Sequence, residues 1–202
     1  MSRVFAIIPA AGHSRRMGQP KLLLPWQNGL IIDAVLSAWT SSQVDQVVVI
    51  TRRSDTDLLA ACARWPVTVT SPETDPPDMK ASIQHGIRWL QSNLDPSPSE
   101  SDHWMVAPAD LPTLHAHVID QVIAAKHSTK ITVPRFGDHE SHPVMLPWSL
   151  AGDALTLTPD ESLKSLLQRN VAHYVDLDSR DYASDVDLPE DYQRIIDLEN
   201  GT

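Results

Sequence analysis

The chain has 202 residues, of which 42% are hydrophobic and 21% charged, as expected for a globular protein with a sizeable core. Its formal net charge of −10 argues against a broad nucleic-acid-binding surface, which requires a basic face. Cys62 is the single cysteine and permits no internal disulfide. No stretch approaches about eighteen apolar residues, and the N-terminus does not resemble a signal peptide. We therefore predict a cytoplasmic protein without a membrane span.

Short apolar runs and amphipathic segments alternate along the first two thirds of the chain. The predicted strands cover residues 4–8, 44–51, 67–70, 104–107 and 130–134. The predicted helices cover residues 30–39, 55–64, 79–92 and 113–127, and shorter elements follow over 142–150, 161–168, 171–175 and 189–198. This alternation predicts an α/β sandwich with a largely parallel sheet, and we predict that residues 1–202 form a single domain.

The segment from Ile8 to Pro25 begins where the first strand can no longer continue. Pro9 lacks an N–H group, and Gly12 permits a positive φ. A buried strand that opens into a Gly/Ser loop offers backbone N–H groups to an anion, and Arg15, Arg16 and Lys21 add positive charge. This layout is typical of a triphosphate-binding loop. The spacing excludes a P-loop and a Gly-x-Gly-x-x-Gly dinucleotide fingerprint, and an ordinary turn with incidental cations remains the alternative.

The pattern from Ala10 to Lys21, Ala-Ala-Gly-x-Ser-x-Arg-Met-Gly-x-Pro-Lys, resembles the signature of nucleotidyltransferases. It is most similar to the molybdenum-cofactor cytidylyltransferases of the MobA-like NTP transferase family, whose segment also continues into Lys-Leu-Leu-Leu-Pro. The resemblance implies a three-layer α/β/α fold and Mg²⁺-dependent transfer of CMP from CTP to the phosphate of molybdopterin, with release of pyrophosphate. It implies that Arg16 and Lys21 bind the phosphates. It assigns the other nucleotide contacts to Pro9, Ala10, Ala11, Gly12 and Ser14.

Asp110 follows a predicted strand and is itself followed by Leu-Pro. In open α/β sheets ligands bind beyond the carboxyl ends of the strands, where a carboxylate can hold Mg²⁺. The family places a metal-binding Asp at this point, so the resemblance also makes Asp110 catalytic. The alternative is that Asp110 caps the helix predicted over 113–127, although Thr113 could do so as well.

A second acidic cluster at residues 184–191 resembles the family string Asp-Ile-Asp-Thr-Pro-Glu-Asp. Alternation in an extended segment places Asp185 and Asp187 on one side and Val186 on the other. We assign both carboxylates to the metal together with Asp110, and the sequence leaves open which of the two binds it. Glu190 and Asp191 are assigned to the start of the following helix.

Two further positions take roles from the resemblance. Residues 78–87 are similar to the family segment Gly-Met-x-x-Ser-Leu-x-x-Gly-Leu, which implies that Ser82 faces the ribose or base. Asp78 stands in place of the glycine. The string from Ser141 to Val144 resembles Gly-His-Pro-Val on the acceptor side, so His142 would orient the acceptor.

Residues 158–164 depart from the family, which has Gly-Asp-x-Gly-Ala-Arg there. Both glycines are missing, and Lys164 cannot reproduce a bidentate Arg clamp. This departure favours an alternative acceptor, such as a sugar phosphate or polyol phosphate. A nucleotide-binding regulator without turnover is the non-enzymatic alternative. The expected partners are small molecules, with a molybdoenzyme or its chaperone as the candidate protein partner. The resemblance also implies a preference for CTP over GTP, since the guanylyltransferases have Leu-Ala-Gly-Gly in place of Pro-Ala-Ala-Gly.

Overall fold

The computed structural model describes residues 2–178 and 185–199. Its strands are β1 (Val4–Pro9), β2 (Pro25–Trp26), β3 (Gly29–Leu30), β4 (Gln46–Ile50), β5 (Thr68–Thr70), β6 (His103–Val106), β7 (Ile131–Phe136), β8 (His139–Glu140), β9 (Val144–Pro147) and β10 (Ala172–Asp176). Its helices are α1 (Ile31–Thr40), α2 (Thr56–Cys62), α3 (Met79–Asn93), α4 (Ala116–Ala124), α5 (Ala151–Leu155), α6 (Leu163–Arg169) and α7 (Pro189–Glu199). None of these helices is long and apolar enough to cross a membrane.

The main sheet has the strand order β10-β7-β9-β6-β1-β4-β5, with β8 paired to β7. The β1–β4, β1–β6, β4–β5 and β7–β10 pairs are parallel, whereas β9 runs antiparallel to both β6 and β7. The chain runs outwards from β1 through β4 to β5 and then returns to the other side of β1 as β6. The carboxyl ends of β1 and β6 therefore define a topological switch point, where ligands bind in sheets of this kind.

Alternation along the central strand explains the layers. Val4, Ala6 and Ile8 pack in a core with residues of α1, α2 and α4, whereas Phe5 and Ile7 pack on the other face against α3. Both faces of β1 are fully covered, so the strand is a continuous apolar run. The predicted three-layer α/β fold with a mostly parallel sheet is confirmed.

Several local features differ from the sequence-based expectation. The helix predicted over 113–127 begins only at Ala116, because residues 112–113 form a turn and residues 114–115 are irregular. The two-residue strands β2 and β3 form a hairpin with Gln27 at φ +48°, and a short 3-10 helix at Lys21–Leu23 precedes it. The short helix α5 was also not predicted. These elements are too short to produce a hydrophobic period.

Gly86 is the point of closest approach between α3 and the sheet. A Cβ atom at this position would lie 2.7 Å from Ile7 Cγ2 and 3.1 Å from Ile50 Cδ1. Ile7 is fully buried and β-branched, so it has little room to move. We expect Gly86→Ala to lower the free energy of unfolding by about 1–2 kcal/mol, because overpacking outweighs the gain in helix propensity.

Urea denaturation measures this loss, and Gly152→Ala in α5 is the matched control. A Cβ atom at Gly152 meets nothing within 4 Å, so Gly152→Ala should leave stability unchanged or raise it. Equal effects of the two substitutions would contradict the packing argument.

Asp102 connects Arg3, the residue before β1, to the loop before β6 through hydrogen bonds. Its carboxylate accepts hydrogen bonds from the backbone N–H and the guanidinium of Arg3, both at 2.8 Å, and from the Ser99 N–H at 2.8 Å. Burial acts to raise the pKa of Asp102, but these hydrogen bonds and the charge of Arg3 lower it from 3.8 to about 2. The ionised carboxylate therefore stabilises the fold above about pH 4.

This contribution, about 2 kcal/mol, should be lost as the pH falls from 4 towards 2. We expect the unfolding free energy of Asp102→Asn, measured in urea, to fall less over this range than that of the wild type. Parallel pH curves for the two proteins would show that Asp102 does not supply this stability.

Candidate active site

A cleft of about 630 Å³ opens beyond the carboxyl ends of the central strands. The segment after β1 forms one wall, residues 75–79 with Ser82 form a second, and residues 108–110 lie at the end of β6. Asp185 and Asp187 complete the lining. The cleft thus coincides with the switch point of the sheet, which is the position expected for a ligand site.

The loop after β1 is fixed at both of its ends. At its start the Ala10 N–H donates to the Ile50 carbonyl at 2.8 Å, so the loop continues from the sheet. At its far side the Ser14 carbonyl accepts from the N–H groups of Met17 and Gly18, both at 3.1 Å, and the Ser14 hydroxyl accepts from the Lys21 N–H at 3.2 Å. Ser14 therefore organises the turn that brings Lys21 back to the cleft.

The positive φ angles of this loop lie at Ser14 (+50°) and Gly18 (+73°), whereas Gly12 does not adopt one. The role of Gly12 is therefore not to supply the positive φ that the sequence suggested. A Cβ atom at Gly12 would meet nothing within 4 Å, which leaves open space for a ligand to approach the backbone. Within the described part of the chain, the backbone N–H groups of residues 11–16 make no hydrogen bond. The loop is thus suited to bind an anion.

A chain of alternating charges crosses the cleft floor. Lys21 Nζ is bonded to Asp110 Oδ2 and lies 2.9 Å from Asp187 Oδ1, and the Arg16 guanidinium lies 2.8 Å from Asp187 Oδ2. Burial acts to lower the pKa of Lys21, but the charges and hydrogen bonds of the two carboxylates raise it. Burial likewise acts to raise the pKa of Asp187, but Lys21 and Arg16 lower it. The pKa shifts of Lys21 and Asp187 therefore both favour the charged form of each side chain.

Backbone contacts place the acidic cluster next to Asp110. The Val186 N–H donates to the Asp110 carbonyl at 3.1 Å, and the Val186 side chain is fully buried. Alternation then directs Asp185 and Asp187 to the cleft, as predicted. The Asp191 carboxylate accepts from the Leu188 N–H at 2.9 Å, which confirms its assigned role at the start of α7.

The residues present fit a divalent cation. Asp110 Oδ1 is buried and has no hydrogen-bond partner, and oxygen atoms are the ligands that Mg²⁺ prefers. The described residues contain no ready-made group of three His, Cys, Asp or Glu metal ligands. Mg²⁺ is commonly held by one or two carboxylates together with substrate phosphates, so such a group is not required. The alternative that Asp110 caps the helix is wrong, because α4 begins at Ala116 after His115.

All the predicted site residues line this cleft except His142. Ser82 is buried on the first turns of α3, where its hydroxyl donates to the Asp78 carbonyl at 3.4 Å. Asp78 caps this helix by accepting from the Ala81 N–H at 2.7 Å. His142 does not line the cleft, and burial lowers its pKa although the nearby charges of Asp110 and Asp185 oppose this.

The structure adds cleft residues that sequence reasoning missed. They are His13, Leu22, Asp75, Pro76, Pro77, Met79, Pro108 and Ala109. Residues 75–78 follow the strand predicted over 67–70, and their position after its carboxyl end was the available signal for this part of the wall. His13 carried no signal beyond its place in the anion-binding loop.

The fold and cleft define a class of protein, which comparison with known proteins identifies. Residues 6–175 match the model of the MobA-like NTP transferase domain. The chain belongs to this family and is a nucleotidyltransferase.

The chain is 21% identical to the molybdenum cofactor cytidylyltransferase of Escherichia coli K12 over 95% of each chain. It is 29% identical to a probable molybdenum cofactor guanylyltransferase of Bacillus thuringiensis over 56% of this chain and 52% of that protein. Among solved structures, Rv0371c of Mycobacterium tuberculosis superposes with a TM-score of 0.81 at 22% identity, covering 97% of this chain and 98% of the other. Rv0371c has also been solved in complex with manganese.

Proposed function

We propose that this protein transfers CMP from CTP to the terminal phosphate of molybdopterin and releases pyrophosphate, with Mg²⁺ as the metal. The observation that carries the proposal is the group formed by Lys21, Asp110, Asp187 and Arg16 beside a loop with unpaired N–H groups. The similarity over 95% of both chains to the cytidylyltransferase of Escherichia coli supports the choice of substrates.

The reaction requires positioning and charge neutralisation more than covalent chemistry. An oxygen atom of the acceptor phosphate forms a bond to the α-phosphorus of the triphosphate. The bond from the α-phosphorus to the bridging oxygen breaks, and pyrophosphate leaves with the electron pair. Lys21 and Arg16 stabilise the phosphate oxygens, and the backbone N–H groups from Gly12 to Ser14 orient them. Asp110 with Asp185 or Asp187 would hold Mg²⁺, which supplies positive charge to the phosphates when bound.

The base lies, in this proposal, between two walls of the cleft. Ala10 and Ala11 are buried on one wall, and residues 75–79 with Ser82 form the other. Pro9 and the Ala11 methyl group narrow the space and the set of backbone groups available to a base edge. A base that leaves such groups unpaired is penalised by about 1–3 kcal/mol per lost partner. We therefore propose that CTP is preferred over GTP.

One observation favours a second candidate acceptor. The loop at 158–161, which replaces the family's glycine-rich segment, is bonded to α3 because Lys80 Nζ donates to the carbonyls of Thr158, Pro159 and Glu161 at 2.6, 3.0 and 2.8 Å. Glu161 also accepts from the Thr158 N–H at 2.8 Å. A loop held by these contacts differs from the glycine-containing segment of the family. The difference favours, as the alternative function, nucleotidyl transfer to another phosphorylated acceptor, a sugar phosphate or polyol phosphate. His142, which lies close to Asp110 and Asp185, remains our proposal for orienting either acceptor.

The test is pyrophosphate release measured for the four NTPs, each with molybdopterin and with a panel of sugar and polyol phosphates. We expect the highest rate with CTP and molybdopterin. Comparable incorporation of GMP and CMP in direct competition would refute the base assignment and leave the reaction class standing. Release with another acceptor alone would replace molybdopterin by that acceptor.

A further inference from the structure

A contact on the outer side of the cleft loop gives His13 a defined chemical state. His13 lines the cleft, and its Nδ1 atom lies 3.0 Å from an Arg52 guanidinium nitrogen. A guanidinium only donates hydrogen bonds, so Nδ1 of His13 must accept. The proton of the neutral ring is therefore on Nε2, and His13 presents an N–H donor.

Arg52 is itself held in place from the sheet. It follows β4 by two residues, and its guanidinium is paired with Asp55 at 2.8 Å. The preceding residue, Thr51, is fully buried, and its N–H donates to the Thr70 carbonyl at 3.1 Å. The Asp55 N–H donates to the Arg52 carbonyl at 3.2 Å, which closes a turn around the pair. Arg52 is thus a rigid support for the imidazole ring.

The position of His13 relative to Lys21 and Asp110 indicates which part of the substrate it can contact. Lys21 and Asp110 are largely buried at the floor, whereas His13, Arg15 and Arg16 are exposed along the loop. In the proposed reaction the phosphates that leave as pyrophosphate extend from Lys21 along the loop towards these exposed donors. We propose that His13 donates from Nε2 to the pyrophosphate portion of the NTP and that Arg52 is the positioning residue for His13. This inference rests on the proposed nucleotidyl transfer.

The first experiment measures binding by calorimetry in the presence of Mg²⁺, with CTP, CMP and inorganic pyrophosphate as the probes. We expect His13→Ala to weaken CTP and pyrophosphate by the same factor, about three- to tenfold, and to leave CMP unchanged. His13→Gln, which keeps a donor near the position of Nε2, should restore part of the affinity. His139→Ala, on the exposed strand β8 outside the cleft, is the control. Equal weakening of CMP and CTP would overturn the assignment.

The second experiment is a double-mutant cycle on the kinetic constants. Arg52→Met should lower kcat/KM for CTP about as much as His13→Ala does, because it removes the support that holds the His13 donor in place. It should have no further effect in the His13→Ala background. Arg52→Lys keeps one donor for Nδ1 and should recover part of the loss. Additive effects of the two substitutions, or no recovery in Arg52→Lys, would show that Arg52 does not act through His13.

Lys21→Met separates this inference from the proposed function. If Lys21→Met weakens CTP binding by about 10- to 150-fold and His13→Ala retains full affinity, the role of His13 is wrong and the proposed function stands. If the wild type binds no NTP, both the role of His13 and the proposed function are wrong. Circular dichroism of each variant verifies that the fold is intact.

Discussion

Replacing Asp110 with asparagine is expected to lower nucleotidyl transfer by about 10²–10³-fold while the protein remains folded. The amide oxygen of asparagine can still accept a hydrogen bond from Lys21, so the local geometry should persist. What is lost is the negative charge at the end of β6, including the buried Oδ1 atom that has no partner among the described residues. The measurement is pyrophosphate release at several Mg²⁺ concentrations together with the thermal unfolding midpoint.

Asp153→Asn is the matched control for this substitution. Asp153 is exposed on α5 outside the cleft, and its replacement changes the net charge by the same amount. We expect the control to retain normal turnover at every Mg²⁺ concentration. Near-normal turnover of Asp110→Asn at limiting Mg²⁺ would remove Asp110 from the metal site.

Lys21→Met is expected to weaken the use of CTP by about 10- to 150-fold, because a charged hydrogen bond contributes roughly 1.5–3 kcal/mol. The Lys21 side chain is 15% exposed, so solvent screens its charge only weakly. Arg16 is 69% exposed, and Arg16→Met should fall at the low end of this range. Both effects are measured as kcat/KM for CTP and as the affinity for CMP.

Ligand length supplies the internal control for these two variants. CMP lacks the β- and γ-phosphates, so its affinity should fall much less than that for CTP. Equal losses for the two ligands would argue that Lys21 and Arg16 stabilise the cleft itself rather than bind phosphates. Thermal unfolding distinguishes the cases, since Lys21→Met also leaves Asp110 and Asp187 without their shared cation.

Much of the site could be predicted from sequence because of a property of parallel strands. Their carboxyl ends meet at one edge of the sheet, so residues that follow different strands, such as Ser14 and Asp110, come together without knowledge of the tertiary structure. The alternation of Asp185, Val186 and Asp187 likewise predicted how these side chains are oriented. Because the Val186 side chain is buried, the two flanking carboxylates point to the opposite side of the segment.

Other features depend on contacts between distant segments and leave no local pattern. The apolar run of β9 does not reveal that the strand is antiparallel and inserted between β6 and β7. His142 precedes β9, and this insertion places it close to Asp110 and Asp185 although it does not line the cleft. The bonds that join Lys21 to Asp110 and Asp187 span 89 and 166 residues, and the contact of Arg52 with His13 spans 39. No residue spacing predicts such pairs.

The position of Lys21 between two carboxylates has a thermodynamic consequence. If Asp110 and Asp187 hold the metal, as in our proposal, a cation that binds them must break the ion pairs that both now form with the Lys21 ammonium group. The displaced ammonium group can then pair with a phosphate, and Arg16 is released from Asp187 in the same exchange. Cation and triphosphate should therefore bind cooperatively, and each should raise the affinity for the other by the same factor.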